Sequence, residues 1–298
     1  MGYLEYSERV TLRSPSMLIA FAGWSDAAEG ATGALKYLVR KFPAQRLASI
    51  DPEEFYDFTQ ARPTTRVDAQ GQREITWPAS TFYYYHDVEQ EQDMLIFVGV
   101  EPNLKWRTYA NLVADVAQEH GVERAVMLGA LLDAVPHTRP VKLSGGAGNP
   151  ALISKLEAMG IRASAYQGPT GISSAVSQAF QGRGIPFGSM WAHSPHYIQV
   201  ETYPKTSLAL LEKVEEMMDR RFDLQELRST QASFDKQFQQ LLQKEEDVMA
   251  YVQRLERQYD ASTHDQAPIP TPQEMVKELE DFLRHRSEGT EEGPGPRA

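Results

Sequence analysis

The stretch MLIAFAGWSDA, residues 17–27, decides the fold of the chain. Its first six residues form a short apolar run that is typical of a strand buried on both faces, and Gly23 ends this run. Residues 27–40 follow with apolar side chains at helical spacing, namely Ala28, Ala31, Leu35 and Leu38. A buried strand followed at once by an amphipathic helix predicts an α/β fold.

The same alternation continues to about residue 200. Further strands are predicted at 47–50, 81–85, 94–100, 125–129, 161–166, 186–191 and 197–200, and further helices at 104–120, 149–159 and 172–180. Segments 64–68 and 74–77 flank a polar turn and predict a hairpin. We therefore expect a mostly parallel sheet with helices on both faces, in which a ligand would bind beyond the carboxyl ends of the strands.

The composition excludes several classes of protein. The 298 residues contain 30 Lys and Arg against 41 Asp and Glu, a net charge of −11 with no basic run, which argues against nucleic-acid binding. The chain has no cysteine, so disulfides and thiolate chemistry are excluded. Its longest apolar runs are far shorter than the about 20 residues of a membrane helix, and its first residues lack a signal-peptide core. We expect a cytoplasmic protein without membrane contact or cofactor.

The chain changes character near Pro204. Residues 206–298 carry 20 acidic and 12 basic side chains, a net of 12 − 20 = −8, and contain no glycine before residue 289. We predict an α/β domain over 1–205, a helical hairpin over 206–264, and a Pro-rich linker, short amphipathic helix and disordered acidic tail over 265–298. In the second part, apolar residues alternate in steps of four and three from Phe234 to Tyr259. This heptad pattern predicts one helix that either packs on its own partner helix in the hairpin or forms a protruding arm that binds another subunit or a client.

Several polar or aromatic side chains are predicted at strand ends. Trp24 and Asp26 follow the first strand, where Asp26 either caps the next helix, with Glu29 completing a capping box, or joins Trp24 in a pocket or partner surface. Glu101 follows the strand 94–100 and either contacts a ligand or partner, pairs with Arg107, or caps a helix.

Two further segments supply candidate residues. His137 and Arg139 lie in a loop stiffened by two prolines and either bind an anion or rigidify a crossing, with Arg139 paired to Asp133 or Glu101. Thr170 precedes a helix that it either caps or helps to make an anion site.

Other familiar motifs are incomplete. Residues 144–150, SGGAGNP, predict a mobile loop, because they match neither phosphate-binding glycine pattern. His193 and His196 do not have the spacing of a helical zinc site, so no metal is expected. No catalytic residue is assigned, since no serine lies in a nucleophile elbow.

Five of these segments in order resemble the proteasome assembly chaperone 2 family, in its actinobacterial type. They are Gly23–Ala27, Glu101-Pro102, Pro136–Pro140, Gly168–Gly171 and the run from Trp191 to Tyr197. The resemblance covers about residues 15–204. It implies a three-layer α/β/α sandwich similar to purine nucleoside phosphorylases, carried here with a C-terminal helical hairpin extension.

The resemblance also implies a function. Relatives self-associate or pair with a second family member, and some assist proteasome assembly through a C-terminal hydrophobic–Tyr–any tail, which Pro296-Arg297-Ala298 does not match. We therefore expect a non-catalytic assembly chaperone or scaffold that forms a homo-oligomer, for example a trimer, and binds a protein client. The alternative is a nucleoside- or nucleotide-like ligand-binding protein or hydrolase with a pocket at the strand ends, using Asp26, Glu101, His137 or Arg139.

Overall fold

The structure of the chain is a computed structural model that describes residues 2–87, 92–164, 166–242 and 245–264. Its strands are β1 (Leu4–Tyr6), β2 (Ser16–Ala22), β3 (Gln45–Ile50), β4 (Thr64–Val67), β5 (Arg73–Thr76), β6 (Thr81–Tyr85), β7 (Met94–Val100), β8 (Arg124–Asp133), β9 (Leu143–Ala147) and β10 (Phe187–Pro195). Its helices are α1 (Gly30–Lys41), α2 (Trp106–Glu119), α3 (Pro150–Ala158), α4 (Ile172–Gly182), α5 (Pro204–Met218), α6 (Gln225–Leu242) and α7 (Glu246–His264). The chain has an α/β fold, as predicted.

Eight strands form one mixed sheet in the order β1-β3-β6-β7-β2-β8-β10-β9. Strands β7, β2, β8 and β10 are parallel to one another, whereas the remaining neighbours in the sheet pair antiparallel. The expectation of a mostly parallel sheet is therefore correct only for the centre. The predicted hairpin forms the separate two-stranded sheet β4–β5.

Two apolar cores lie on opposite faces of the sheet. On one face α2 and α4 pack with residues such as Phe21, Phe97 and Tyr109, and on the other α1, α3 and α5 pack with residues such as Leu18. Leu208, Leu211 and Val214 of α5 belong to this second core. The hydrophobic core of the α/β layers thus extends past the domain boundary predicted at residue 205.

The glycine-rich stretch predicted as a mobile loop forms the edge strand β9. A β-carbon at Gly145 would lie 2.3 Å from the carbonyl oxygen of Ser189, so only glycine lets these two strands approach so closely. Strands predicted at 161–166 and 197–200 are wrong. Among the described residues of the first segment, only Arg162 pairs with a strand, through a single bridge to Ser144.

The helical region differs from the continuous heptad helix that the sequence predicts. The chain forms two helices there, α6 and α7, which end and begin at Leu242 and Glu246. Phe234 and Phe238 of α6 pack on Tyr203 and His137, and Tyr251 of α7 packs on His196. The linker, amphipathic helix and tail predicted for 265–298 lie outside the described residues.

Candidate functional site

Asp26 follows β2 and holds the start of α1. Its Oδ1 accepts hydrogen bonds from the backbone N–H groups of Ala31, at 2.7 Å, and Thr32, at 3.1 Å, and its Oδ2 accepts from the Thr32 hydroxyl. Burial raises the pKa of Asp26, and the hydrogen bonds from Thr32 and Ala31 oppose this rise. Asp26 is therefore a helix cap, as one of the sequence alternatives predicts.

The predicted capping box and helix start are wrong. A 3-10 turn occupies residues 27–29, and α1 begins only at Gly30. Glu29 adopts a positive φ of 48° and pairs with Lys36 instead of returning to Asp26. The early turn explains why Asp26 reaches residues 31 and 32.

The gap where this type of sheet usually binds a ligand is filled by the chain itself. From β2 the chain continues to β3 on one side of the sheet, and from β8 it continues to β9 on the other side. Such a divergence normally opens a crevice at the carboxyl ends of the two strands. Here Ala130 N–H donates to the carbonyl of Ser25 at 2.9 Å, and Asp26 pairs with Ala130. The segment after β2 thus closes the space between β2 and β8.

Glu101 at the end of β7 caps a helix that is distant in the sequence. Its Oε1 accepts from the backbone N–H of Ile172, the first residue of α4, at 2.8 Å. Gly171 fits against this contact, since a β-carbon there would lie 2.8 Å from Glu101 Oε1 and 3.2 Å from the Trp24 ring. Of the alternatives for Glu101, the structure therefore shows the helix cap.

Trp24 and Thr170 lie beside this capped helix end. The indole of Trp24 is 64% exposed although one edge rests on Gly171. The Thr170 hydroxyl contacts Ser174, and the cap position of α4 belongs to Gly171, so the predicted Thr170 cap is wrong. Trp24, Glu101 and Thr170 thus gather around one helix N-terminus.

His137 and Arg139 lie in a second group, which the helical region holds in place. Arg139 forms two hydrogen bonds to Asp260, Nε–Oδ1 at 2.8 Å and Nη2–Oδ2 at 2.7 Å, and a third to Glu256 at 3.3 Å. Lys205 donates to the backbone carbonyls of His137 and Arg139. The predicted pairing of Arg139 with Asp133 or Glu101 is therefore wrong, because α7 supplies the carboxylates.

His137 is buried and held in place by Tyr197. The Tyr197 hydroxyl accepts the His137 backbone N–H at 2.8 Å and lies within hydrogen-bond distance, 2.7 Å, of Nδ1 of the ring. Burial lowers the pKa of His137, and the charge of Lys205 lowers it further. A lowered pKa disfavours the imidazolium form that binds anions best, and the ring is buried against Tyr197, so the geometry favours the rigid-loop alternative.

Sequence reasoning missed a buried chain of three side chains. His193 Nδ1 lies 2.6 Å from Asp133 Oδ2, and His193 Nε2 lies 2.8 Å from Ser144 Oγ. Burial alone would raise the pKa of Asp133, but His193 and then Lys142 hold it below its usual range. No local motif reveals this chain, since its members come from β8, β10 and β9, which meet only in the folded sheet.

Asp133, His193 and Ser144 are connected in the same order as the acid, base and nucleophile of a serine hydrolase triad. Their surroundings, however, are those of a structural contact between strands. Ser144 is buried in the strand ladder opposite Trp191, and the N–H of Gly145 already donates to the carbonyl of Arg162. That N–H group is thus occupied and does not face a developing oxyanion. We interpret the three side chains as a polar link across three strands.

Neither a metal cluster nor a membrane span is found in the part of the chain that the structure describes. Within residues 2–87, 92–164, 166–242 and 245–264, no group of three or more His, Cys, Asp or Glu side chains is arranged to hold a metal ion. Over the same ranges, no helix has the length and apolar character needed to span a bilayer.

A model of the PAC2 family matches residues 20–242, which include Trp24, Glu101, His137, Arg139, Thr170 and the core helix α5. The chain belongs to the PAC2 family. Its PAC2 relatives of known structure include a Streptomyces avermitilis family member, 38% identical, with a TM-score of 0.73 over 80% of this chain and 99% of the other. The family assignment confirms the resemblance found in the five sequence segments.

Two Mycobacterium tuberculosis structures are also similar to this PAC2 chain. A proteasome-assembly chaperone homologue is 33% identical, with a TM-score of 0.72 over 80% of this chain and 99% of the other. A protein of unknown function is 27% identical, with a TM-score of 0.79 over 88% of this chain and 92% of the other. No curated protein sequence matches the chain significantly.

Proposed function

We propose that this PAC2 protein is a non-catalytic assembly chaperone or scaffold that acts through protein–protein contacts and self-associates through its α/β core. One observation carries the proposal. Large apolar side chains are exposed around the carboxyl ends of the neighbouring strands β7, β2 and β8, namely Leu104, Trp24 and Leu132, and Tyr166 is exposed in the segment before α4; each is at least 47% exposed. Apolar groups exposed together at one edge of a sheet are typical of a contact surface for another protein.

Trp24 is the residue that we expect to dominate this surface. Tryptophan is enriched among residues whose truncation weakens an interface most, because it buries a large area with few rotatable bonds. Gly171 and the capped end of α4 support one edge of its ring, so little conformational freedom is lost on binding. The Trp24 side chain is therefore already held in one position before a partner binds.

The identity of the relatives supports the class of client. A relative that is 33% identical is described as a proteasome-assembly chaperone homologue, so we infer that this chain also takes part in proteasome assembly. We also propose that this activity takes place in the cytoplasm. The alternative of a ligand-binding protein is supported by a different part of the molecule, described below.

Light scattering on the purified full chain tests self-association. We expect a stable oligomer for the natural sequence and a shift to smaller species for Trp24→Glu, since a carboxylate cannot be buried there without cost. Leu241→Glu is the matched control, because Leu241 is also 64% exposed but lies on α6. A monomeric natural protein, or an equal effect of both variants, would contradict the proposal.

Affinity capture from the native cells tests the client. Proteasome subunits should be recovered with the natural chain and lost with Trp24→Glu, whereas Leu241→Glu should retain them. Recovery of no proteasome subunit by the natural chain would refute the client assignment and leave self-association to be judged by light scattering.

A further inference from the structure

A cavity of about 600 Å³ lies on the α1 side of the sheet, and neither Trp24 nor the first residues of α4 line it. Its floor is formed by the carboxyl ends of β2 and β7, one wall by α1, and the other wall by the β4–β5 hairpin and the segments that flank it. This volume falls in the range of sites that hold small organic molecules, about 300–1,000 Å³. Its size and position make it a candidate ligand site.

The charge of the cavity wall is opposite to that of the protein. Lys36, Arg40 and Arg62 line it, and none of the described lining residues is Asp or Glu. The whole chain, by contrast, has a net charge of −11. A recess lined by cations concentrates the positive electrostatic field and attracts anions, even in a protein that is acidic as a whole.

The partners of these cations leave room for a ligand. Lys36 pairs with Glu29 at 3.2 Å and Arg40 with Glu226 at 2.8 Å, and the side chains in both pairs are substantially exposed. Exposed ion pairs of this kind are worth little, about 0–1 kcal/mol, so an anion in the cavity competes with them easily. Neither glutamate lines the cavity itself.

Apart from these cations and four threonines, the wall is apolar and partly aromatic. Val39, Val98 and Val100 line it together with Trp77 and Tyr83. The ring of Trp77 is held edge-on against Phe58, with ring centroids 4.7 Å apart, and is 45% exposed. A held and partly exposed indole beside cations suits a flat ligand that also carries negative charge.

We propose that this cavity binds a small organic anion with an aromatic body, either a carboxylate or a phosphate ester. The cations Lys36, Arg40 and Arg62 receive the anionic group, and Trp77, Tyr83 and the valines receive the body. Ligand binding here is independent of the assembly role, because Trp24, Leu104, Leu132 and Tyr166 do not line the cavity.

Isothermal titration of the full chain with four probes tests both halves of this recognition. The probes are 1-naphthyl phosphate, 2-naphthoate, 2-naphthalenemethanol and inorganic phosphate. We expect one site per chain for the two naphthyl anions, and affinities weaker by about tenfold or more for the neutral alcohol and for phosphate alone. The two naphthyl anions distinguish a phosphate ester from a carboxylate as the preferred group.

Charge reversal identifies the site. Arg62→Glu should weaken binding of the better anion by about tenfold or more, since it places a like charge in the wall. Arg73→Glu is the matched control, because it makes the same change of charge in the hairpin but does not line the cavity. The affinity of Arg73→Glu for the same anion should stay within about twofold of that of the natural chain.

A second measurement does not depend on the charge variants. Anion binding should quench tryptophan fluorescence in the natural protein, and Trp77→Phe should remove most of this quenching. The proposal is overturned if neither naphthyl anion binds, if the alcohol binds equally well, or if Arg73→Glu weakens binding as much as Arg62→Glu.

Discussion

Asp26 and Arg139 are both charged residues near strand ends, yet the chain uses them differently. Asp26 is buried and binds the N–H groups of a helix that begins shortly after it. Arg139 is partly exposed and binds Glu256 and Asp260, which belong to the last described helix of the chain. The first contact belongs to the α/β sandwich itself, and the second depends on the docking of α7.

The candidate residues look alike in the sequence, because all of them follow predicted strands. In the structure they fall into two kinds, those that cap helices of the α/β sandwich and those that contact the helical region. Asp26 and Glu101 each supply a carboxylate to the N-terminus of a helix, so their charges are already used inside the core. His137 and Arg139 hold a loop beneath the helical region. Neither group needs a ligand to explain its charges, and the exposed Trp24 remains available to a partner.

Asp26→Ala should have the largest effect on stability. The N–H groups of Ala31 and Thr32 and the Thr32 hydroxyl would lose their acceptor in a buried site, at a cost of about 3 kcal/mol. Urea unfolding measures this loss. Asp26→Asn retains an acceptor oxygen and should cost about 1 kcal/mol, so equal losses for the two variants would contradict the capping role.

Acid should weaken the link between Asp133 and His193. The pKa of Asp133 is below its usual range in the folded chain, so its contribution to stability is present above the unfolded pKa of about 4. This contribution is lost as the pH falls through the folded pKa. The midpoint of urea unfolding should therefore fall less steeply for Asp133→Asn than for the natural chain as the pH is lowered. Glu201→Gln, on an exposed loop, removes one carboxylate elsewhere and should retain the natural slope.

Glu101→Ala should cost less than Asp26→Ala, about 1 kcal/mol, because it removes one N–H acceptor at a site that is only half-buried. Urea unfolding measures this loss of stability, and Glu101→Gln should retain most of the stability that Glu101→Ala loses. If Glu101→Ala were as stable as the natural chain, the cap on α4 would have no energetic role.

Arg139→Met should change the global free energy of unfolding least, by under about 1 kcal/mol, because the ion pairs to α7 are partly exposed. Its effect should be local. Amide hydrogen exchange in 246–260 should become faster while exchange in β2 and β8 stays unchanged. Lys213→Met removes the pair with Glu216 on α5 and is the control that should leave α7 protected. Unchanged exchange in α7 for Arg139→Met would show that the docking of α7 rests on apolar contacts.

The central βα units could be predicted from the sequence because their signals are local. The strand at 94–100 has the predicted bounds, and the helix after it lies within its predicted range. Strand β9 could not be predicted, since its glycines look like a loop until Ser189 is seen packed against Gly145. Its strand identity is decided by a neighbour that is distant in the sequence.

The candidate site was only partly predictable for the same reason. The helix cap by Asp26 was one of the alternatives because the residue and its helix are adjacent in sequence. The cap by Glu101 on α4 and the binding of Arg139 by α7 each join segments that are far apart along the chain. Spacing within a motif carries no information about such pairs, so the two groups could be separated only in the folded chain.

The position of α5 has a consequence for synthesis on the ribosome. The core on the α1 side contains both Leu18 of β2 and Leu208 of α5, so its completion waits for a late part of the chain. At a synthesis rate of about 5–20 residues per second, Leu208 is added about 10–40 s after Leu18. Until α5 emerges, the part of this face that α5 covers stays exposed beside α1 and α3, so the nascent chain carries an apolar patch that the finished protein buries.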